Sequence, residues 1–286
     1  MRTRIAPTPS GYLHEGNAIN FSAIWQLAQA HGGHILLRID DLDAERTRPA
    51  YVEDIFRTLD RLGIAWHEGP SGPDDFHREW SQHLRMDLYH EVLERLRKLH
   101  LIYACHCSRS DVAAHSPDGR YPGTCRALGK PLTDDTSAWR LNLAGVGEVG
   151  FLELGEGRRS VALGAVMGDP VVRTRANGKA APRPSYQIAS LVDDVHFGIN
   201  TIVRGIDLLP STACQMHIAD VLHVGEFHAA SFLHHALSTD ANGRKLSKSA
   251  GDGSPGPLSG KGLSTAAIHA AARSLLTARG LPADAG

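Results

Sequence analysis

Residues 4–17 read RIAPTPSGYLHEGN. The pattern predicts a strand over Thr3 to Ala6, a turn-rich loop Pro7-Thr8-Pro9-Ser10-Gly11, and a helix that begins near Gly16. A helix N-terminus offers unpaired N–H groups and the positive end of a dipole, so this junction is a candidate phosphate site. His14 would donate to a phosphate oxygen, and Gly16 would let a nucleotide approach the backbone. The same four residues, His14-Glu15-Gly16-Asn17, also suit an ordinary helix cap.

Outward from this stretch the chain keeps the same alternation. Asn17 to His31 carries apolar residues at helical spacing (Ile19, Phe21, Ile24, Leu27, Ala28) and stops at Gly32-Gly33. The run His34 to Asp40 is strand-like and ends in acids, which completes a strand–helix–strand unit with polar residues at the carboxyl ends. Pro49 opens a helix to about Leu62, ended by Gly63, and another helix is expected from about Ser81 to Leu99. From Ser185 a strand pattern resumes through Tyr186, Ile188, Leu191 and Val192, and Ile202-Val203-Arg204-Gly205 ends a further strand.

The expected fold is therefore α/β: a Rossmann-like parallel sheet with helices on both faces, built from 1–100 and 185–250. An α+β module, 101–184, is inserted between the two parts. Gly251 to Pro257 reads as a linker, and a helix from about Thr265 to Arg279 closes a short tail, 251–286.

Three of the four cysteines cluster as Cys105-His106-Cys107 and Tyr121-Pro122-Gly123-Thr124-Cys125. Without secretory features this clustering reads as a metal site. In an extended segment Cys105 and Cys107 share a face while His106 points away. A zinc ion would then take Cys105, Cys107 and Cys125, with Tyr121, His106 or a water as fourth ligand; buried cysteines without metal are the alternative. Cys214 reads as a buried small residue.

With 30 Lys+Arg against 31 Asp+Glu, bulk charge marks no nucleic-acid surface. No apolar run approaches the roughly 18 residues of a membrane span, and the N-terminus does not read as a signal peptide. A cytoplasmic, monomeric enzyme is expected.

Four stretches in order resemble the glutamyl-tRNA synthetase family of class I aminoacyl-tRNA synthetases. They are RIAPTPSGYLHEGN, LLRIDDLDAERTRPAYVEDIFRTLDRLGIAW (36–66), PSYQIASLVDDVHFGINTIVRGIDLLPST (184–212) and GRKLSKS (243–249). The resemblance implies that HEGN and Lys245-Leu246-Ser247-Lys248-Ser249 handle ATP with Mg²⁺, through His14, Gly16, Asn17, Lys245 and Lys248. His14 and Lys248 would act in catalysis, with Lys248 closing over the triphosphate as a point charge. It also implies glutamate contacts from Arg4, Ala6, Thr8, Asp40, Tyr186 and Arg204. Arginine forks suit carboxylates, and an acid suits the ammonium.

YACHC (103–107) with YPGTC (121–125) resembles one short branch, which joins glutamate to queuosine in the anticodon loop of tRNA(Asp). About 37 residues follow the lysine loop, too few for an anticodon-binding domain. In that branch glutamate is activated as the adenylate without tRNA, and zinc is structural. Two departures stand out: Asp40 where the family has Glu, and Glu15 where its signature has an apolar residue. The rival readings are a truncated synthetase charging a tRNA 3′ end, a related ATP-dependent ligase, and a non-catalytic RNA-binding module. Arg4 and Arg204 could also pair with Asp193, Asp194 or Asp207, and Tyr186 could be a core aromatic.

Overall fold

Strand β1 (Arg2–Ile5) runs into helix α1 (Glu15–Ala30) and then strand β2 (His34–Leu37), which pairs with β1 in parallel. This is the strand–helix–strand unit that the spacing predicts. The computed structural model describes residues 1–116, 118–133, 135–178, 180–236 and 263–283. Phe21, Ile24 and Leu27 of α1 pack with Ile5, Ile35 and Leu37 in one core. The helix stops where Gly32 takes φ +54° and Gly33 N donates to Ala28 O. Helix α2 (Pro49–Arg61) has its proline in the first turn and buries Val52, Ile55 and Leu59.

The helix expected from Ser81 begins later. A short turn α3 (Pro73–Asp75), a π turn and a 3₁₀ turn (Gln82–Arg85) lead into α4 (Met86–Lys98). Asp41 holds this entry, accepting from Ser81 Oγ at 2.6 Å and Gln82 N at 2.8 Å. A carboxylate that caps so tightly fixes a 3₁₀ start before the α-helix.

Strand β3 (Ile102–Cys105) and helix α5 (Arg109–His115) precede β4 (Ala138–Leu141). Next come β5 (Glu148–Glu153), β6 (Gly157–Ala162), the turn α6 (Leu163–Val166) and β7 (Val171–Arg173). β3, β4 and β7 form an antiparallel sheet. Helix α7 (Tyr186–His196), strand β8 (Thr201–Gly205), helix α8 (Leu209–Val221), turn α9 (Gly225–His228) and strand β9 (Ser231–His235) follow. β8 and β9 are parallel, and β5 joins β9 in parallel, which gives the order β6-β5-β9-β8. β1 lies beside β8, where Asn200 N donates to Arg2 O at 3.0 Å.

One expectation is corrected here. The segment from Ser185 is helix α7, not a strand: Ile188, Leu191, Val192 and Val195 repeat at 3.6-residue spacing and pack toward the core. Its β-branched content suggested a strand, but the packing of one helical face overrides that weak preference. Within 101–184, β5 and β6 join the sheet of β8 and β9.

The C-terminal helix is α10 (Thr265–Thr277), close to its expected span, and it packs on α1. Ser22 Oγ meets His269 Nδ1 at 2.7 Å, and Gln26 Nε2 donates to His269 O at 2.9 Å. Among the described residues no helix is long and apolar enough to cross a membrane.

Candidate functional site

Polar side chains gather where β1, β2 and β8 end, the edge at which open parallel sheets place ligands. Arg4 of β1 is 4% exposed, and its Nε donates to Asp194 Oδ1 at 3.0 Å. Arg38, just past β2, bridges two acids. Its Nε donates to Asp40 Oδ1 at 2.7 Å and its Nη2 to Asp40 Oδ2 at 3.1 Å, while Nη1 reaches Asp194 Oδ1 at 2.7 Å. Asp40 N also donates to Pro7 O at 2.9 Å, which ties the acid to the loop of Ala6 and Thr8. Burial pushes the Asp40 carboxyl above its usual range, and Arg38 opposes this. The shorter acid at this position is thus a buried carboxylate gripped by a neighbouring fork.

Arg204 differs from these. It lies on β8, 3% exposed, and its Nη1 donates to Gln215 Oε1 at 3.0 Å. Its Nε and Nη2 have no hydrogen-bond partner, and no ion pair joins it to a carboxylate among the described residues. Burial pulls its pKa down and the nearby Arg4 adds to the lowering, while Tyr186 and Asp194 oppose it. Of the pairings open to the two arginines, Arg4 takes Asp194 and Arg204 takes neither Asp193 nor Asp194. Tyr186, first residue of α7 and 37% exposed, stands beside Arg204 at the surface and is not a core aromatic.

His14 is the N-cap of α1, with its backbone N–H donating to Asn17 Oδ1 at 3.1 Å. The cap reading is the one these contacts show, with Asn17 engaged by the cap. Asp54 Oδ2 accepts from Leu13 N at 2.9 Å and steadies the loop. Glu15 turns toward the C-terminal segment, accepting from Leu263 N at 3.0 Å. Lys245 and Lys248 lie outside the described residues.

Sequence reasoning raised Asp193 and Asp194 only as possible partners of Arg4 and Arg204, and missed Arg38, Arg85, Glu153 and His234 around them. Asp193 accepts from Arg85 Nε at 2.9 Å, Tyr89 Oη at 2.8 Å and Gln82 Nε2 at 2.9 Å. Behind Arg204, His234 Nδ1 lies 2.6 Å from Glu153 Oε2, and its Nε2 lies 2.6 Å from Thr212 Oγ1. The adjacent acids Asp193-Asp194 in an apolar helix were the available signal, since buried carboxylates need partners.

At the cysteine cluster, the Sγ atoms of Cys105, Cys107 and Cys125 lie within 4.8 Å of one another. Cys107 and Cys125 are 3.6 Å apart, and the Tyr121 hydroxyl is 3.3 Å from Cys105 Sγ and 3.5 Å from Cys107 Sγ. Donor separations of this size suit ligands that share one metal ion. His106 is not in this group among the described residues; its carbonyl accepts from Arg175 Nη1 at 3.0 Å. Gly168, at φ +66°, lets the chain pass Tyr121, where a Cβ would stand 2.7 Å from Tyr121 O. Arg140 lies over the Tyr121 ring, 3.7 Å from its centre. Burial pushes the Cys125 thiol up, but Tyr121, His106 N–H and the other thiols bring it down to about 7. Cys214 is buried, as expected.

Parallel β1–β2 and β8–β9 pairs flanked by helices, with a capped loop after β1 and buried arginines at the strand ends, make a nucleotide-binding type of α/β domain. The family model "tRNA synthetases class I (E and Q), catalytic domain" matches residues 1–127. Glutamyl-Q tRNA(Asp) synthetase of Burkholderia cenocepacia is 40% identical over 261 residues, covering 87% of this chain and 80% of that protein. The protein of the same name from Dechloromonas aromatica is 38% identical, covering 86% and 78%. The chain belongs to the glutamyl-Q tRNA(Asp) synthetase family, and it is a class I aminoacyl-tRNA synthetase-like ligase. In fold it is similar to the glutamate-tRNA synthetase structure from Elizabethkingia anophelis, with a TM-score of 0.70 at 24% identity. That likeness covers 87% of this chain and 52% of the other, so the chain spans about half the length of that structure.

Proposed function

We propose that the chain forms glutamyl-adenylate from L-glutamate and ATP without tRNA, then transfers glutamate to queuosine in the anticodon of tRNA(Asp). The observation that carries the substrate class is Arg204. A nearly buried guanidinium with only neutral neighbours at bonding distance calls for an anion, and the side-chain carboxylate of glutamate supplies one. Arg4, Ala6, Thr8, Asp40 and Tyr186 would bind the rest of the amino acid, with Asp40 as the acid for its ammonium. The acceptor rests on the name that the relatives carry.

In this reading the α-carboxylate of glutamate attacks the α-phosphorus of ATP, and pyrophosphate leaves. A hydroxyl of the queuosine cyclopentene diol then attacks the acyl carbon, and AMP leaves. No protein nucleophile is needed; positioning and charge stabilisation suffice. His14 at the α1 N-terminus, with Gly16, Asn17, Lys245 and Lys248, holds the triphosphate. Mg²⁺ bound with ATP neutralises phosphate charge.

Glutamate-dependent ATP–pyrophosphate exchange without tRNA tests the first step, and glutamine should support it about ten- to over a hundredfold less well. Radiolabelled glutamate should then join tRNA(Asp) from a queuosine-producing host, and ribonuclease mapping should place the label on the anticodon fragment. Equal exchange with glutamine would sink the substrate; label on the 3′-terminal adenosine would favour a truncated glutamyl-tRNA synthetase.

Cys105, Cys107, Tyr121 and Cys125 would hold one structural Zn²⁺ that ties β3 to the Tyr121 loop. Metal analysis of protein purified without added zinc should find about one equivalent. Cys107→Ala and Tyr121→Phe should each lower that content, whereas His106→Ala should keep it. Release of metal by His106→Ala alone would overturn the ligand set.

A further inference from the structure

Gln215 lies on α8 with no exposed surface, and its Oε1 takes the Nη1 proton of Arg204 at 3.0 Å. That accepted proton orients the amide, so Gln215 Nε2, on the same carbon, is left as a donor. It has no partner among the described residues, and neither do Nε and Nη2 of Arg204. Three buried donors thus stand together, with Tyr186 and Asp194 the groups that favour the Arg204 charge and no carboxylate oxygen bonded to any of the three among the described residues. Buried donors are normally satisfied, and a carboxylate with its several lone pairs is the acceptor that satisfies such a set.

The charge state of the holder matters as much as its geometry. Arg4 is held by Asp194, and Arg38 by Asp40 and Asp194, so their charges are balanced inside the protein. Arg204 is held by a neutral amide and lies across the Phe232 ring, 5.3 Å from its centre. A glutamate at 215 has the same length but would neutralise the guanidinium and fill its need for an anion. The amide fixes the fork and leaves the charge.

We propose that Gln215 is a specificity-determining positioning residue: it aims Arg204 while leaving its positive charge for the side-chain carboxylate of the amino-acid substrate. This rests on the reading of glutamate as that substrate. It assigns to the family's reaction a residue outside the sequence-derived contact set.

Two variants of nearly unchanged shape test it in pyrophosphate exchange, Gln215→Met and Gln215→Glu, with folding followed by circular dichroism. Gln215→Met should raise KM for glutamate by about tenfold or more, with kcat within about threefold. Gln215→Glu should raise it further, on the order of a hundredfold, because its carboxylate competes with that of the substrate for Arg204. Glutamine, which brings no such charge, should lose less, so the preference for glutamate should fall. A folded variant of either kind that keeps KM and preference within about twofold of wild type overturns the proposal. Unfolding of both overturns it too, since Gln215 would then serve packing. If the wild-type enzyme shows neither exchange nor a rise in Tm with glutamate, the substrate reading falls, and this inference with it. Exchange intact in wild type and unchanged in the variants removes the inference alone.

Discussion

Arg204→Met is expected to lower kcat/KM for glutamate in pyrophosphate exchange by about a hundred- to over ten-thousandfold while leaving the fold as stable as before or more so. The loss follows from two charge-assisted hydrogen bonds to one carboxylate, each contributing on the order of 1.5–3 kcal/mol. The gain follows from the unliganded state. Arg204 is 3% exposed and has no carboxylate at bonding distance among the described residues, so Tyr186 and Asp194 offset its desolvation only in part until substrate arrives. Replacing a buried, unpaired charge by an apolar side chain of similar length removes that cost. Activity and Tm should therefore move in opposite directions. A large fall in Tm with KM unchanged would show instead that Arg204 is a structural cation.

Asp193→Asn is expected to do the reverse, with its main effect on stability. Asp193 is fully buried and takes hydrogen bonds from Arg85, Tyr89 and Gln82, with Arg38 Nε 3.9 Å away. Breaking a buried pair from one side strands the other charge and costs about 3–5 kcal/mol. For a chain of this size the midpoint should fall by on the order of 10 °C. A pH signature separates this from a packing defect. Burial would push the Asp193 carboxyl up, but Arg38 and Arg85 outweigh it and hold it below the usual carboxylate range. A depressed folded-state pKa contributes stability that is complete above the unfolded value of about 3.9 and is lost as pH falls through the lower folded value. The difference in Tm between wild type and Asp193→Asn should hence be full near neutral pH and shrink in strong acid. A constant difference across that range would contradict the ion-pair account.

Much of the architecture was legible in short windows. The β1–α1–β2 unit, the proline entry to α2, the strand that ends in Arg204 and the C-terminal helix all follow from signals spread over a few residues. Apolar periodicity, glycine stops and capping residues act locally, so one sequence suffices to place them. The failure was at α7, where helical and strand readings competed over a short β-branched run, and the choice was made by which face met the core. The pairing of β5 with β9 is a non-local event that composition does not register.

At the site, the sequence by itself determined the inventory: arginines at strand ends, an acid after β2, a capped loop, and cysteines and a tyrosine at metal-ligand spacing. Only the tertiary structure decided which charge is balanced and which is left over. Arg4 meets Asp194 from 190 positions away, and Arg38 meets the same acid from 156. Even Gln215, 11 residues from Arg204, faces it only because β8 and α8 turn toward each other there. Electrostatic balance in a buried site depends on distances of a few ångströms and on exclusion of water, and chain order encodes neither until the fold brings the groups together.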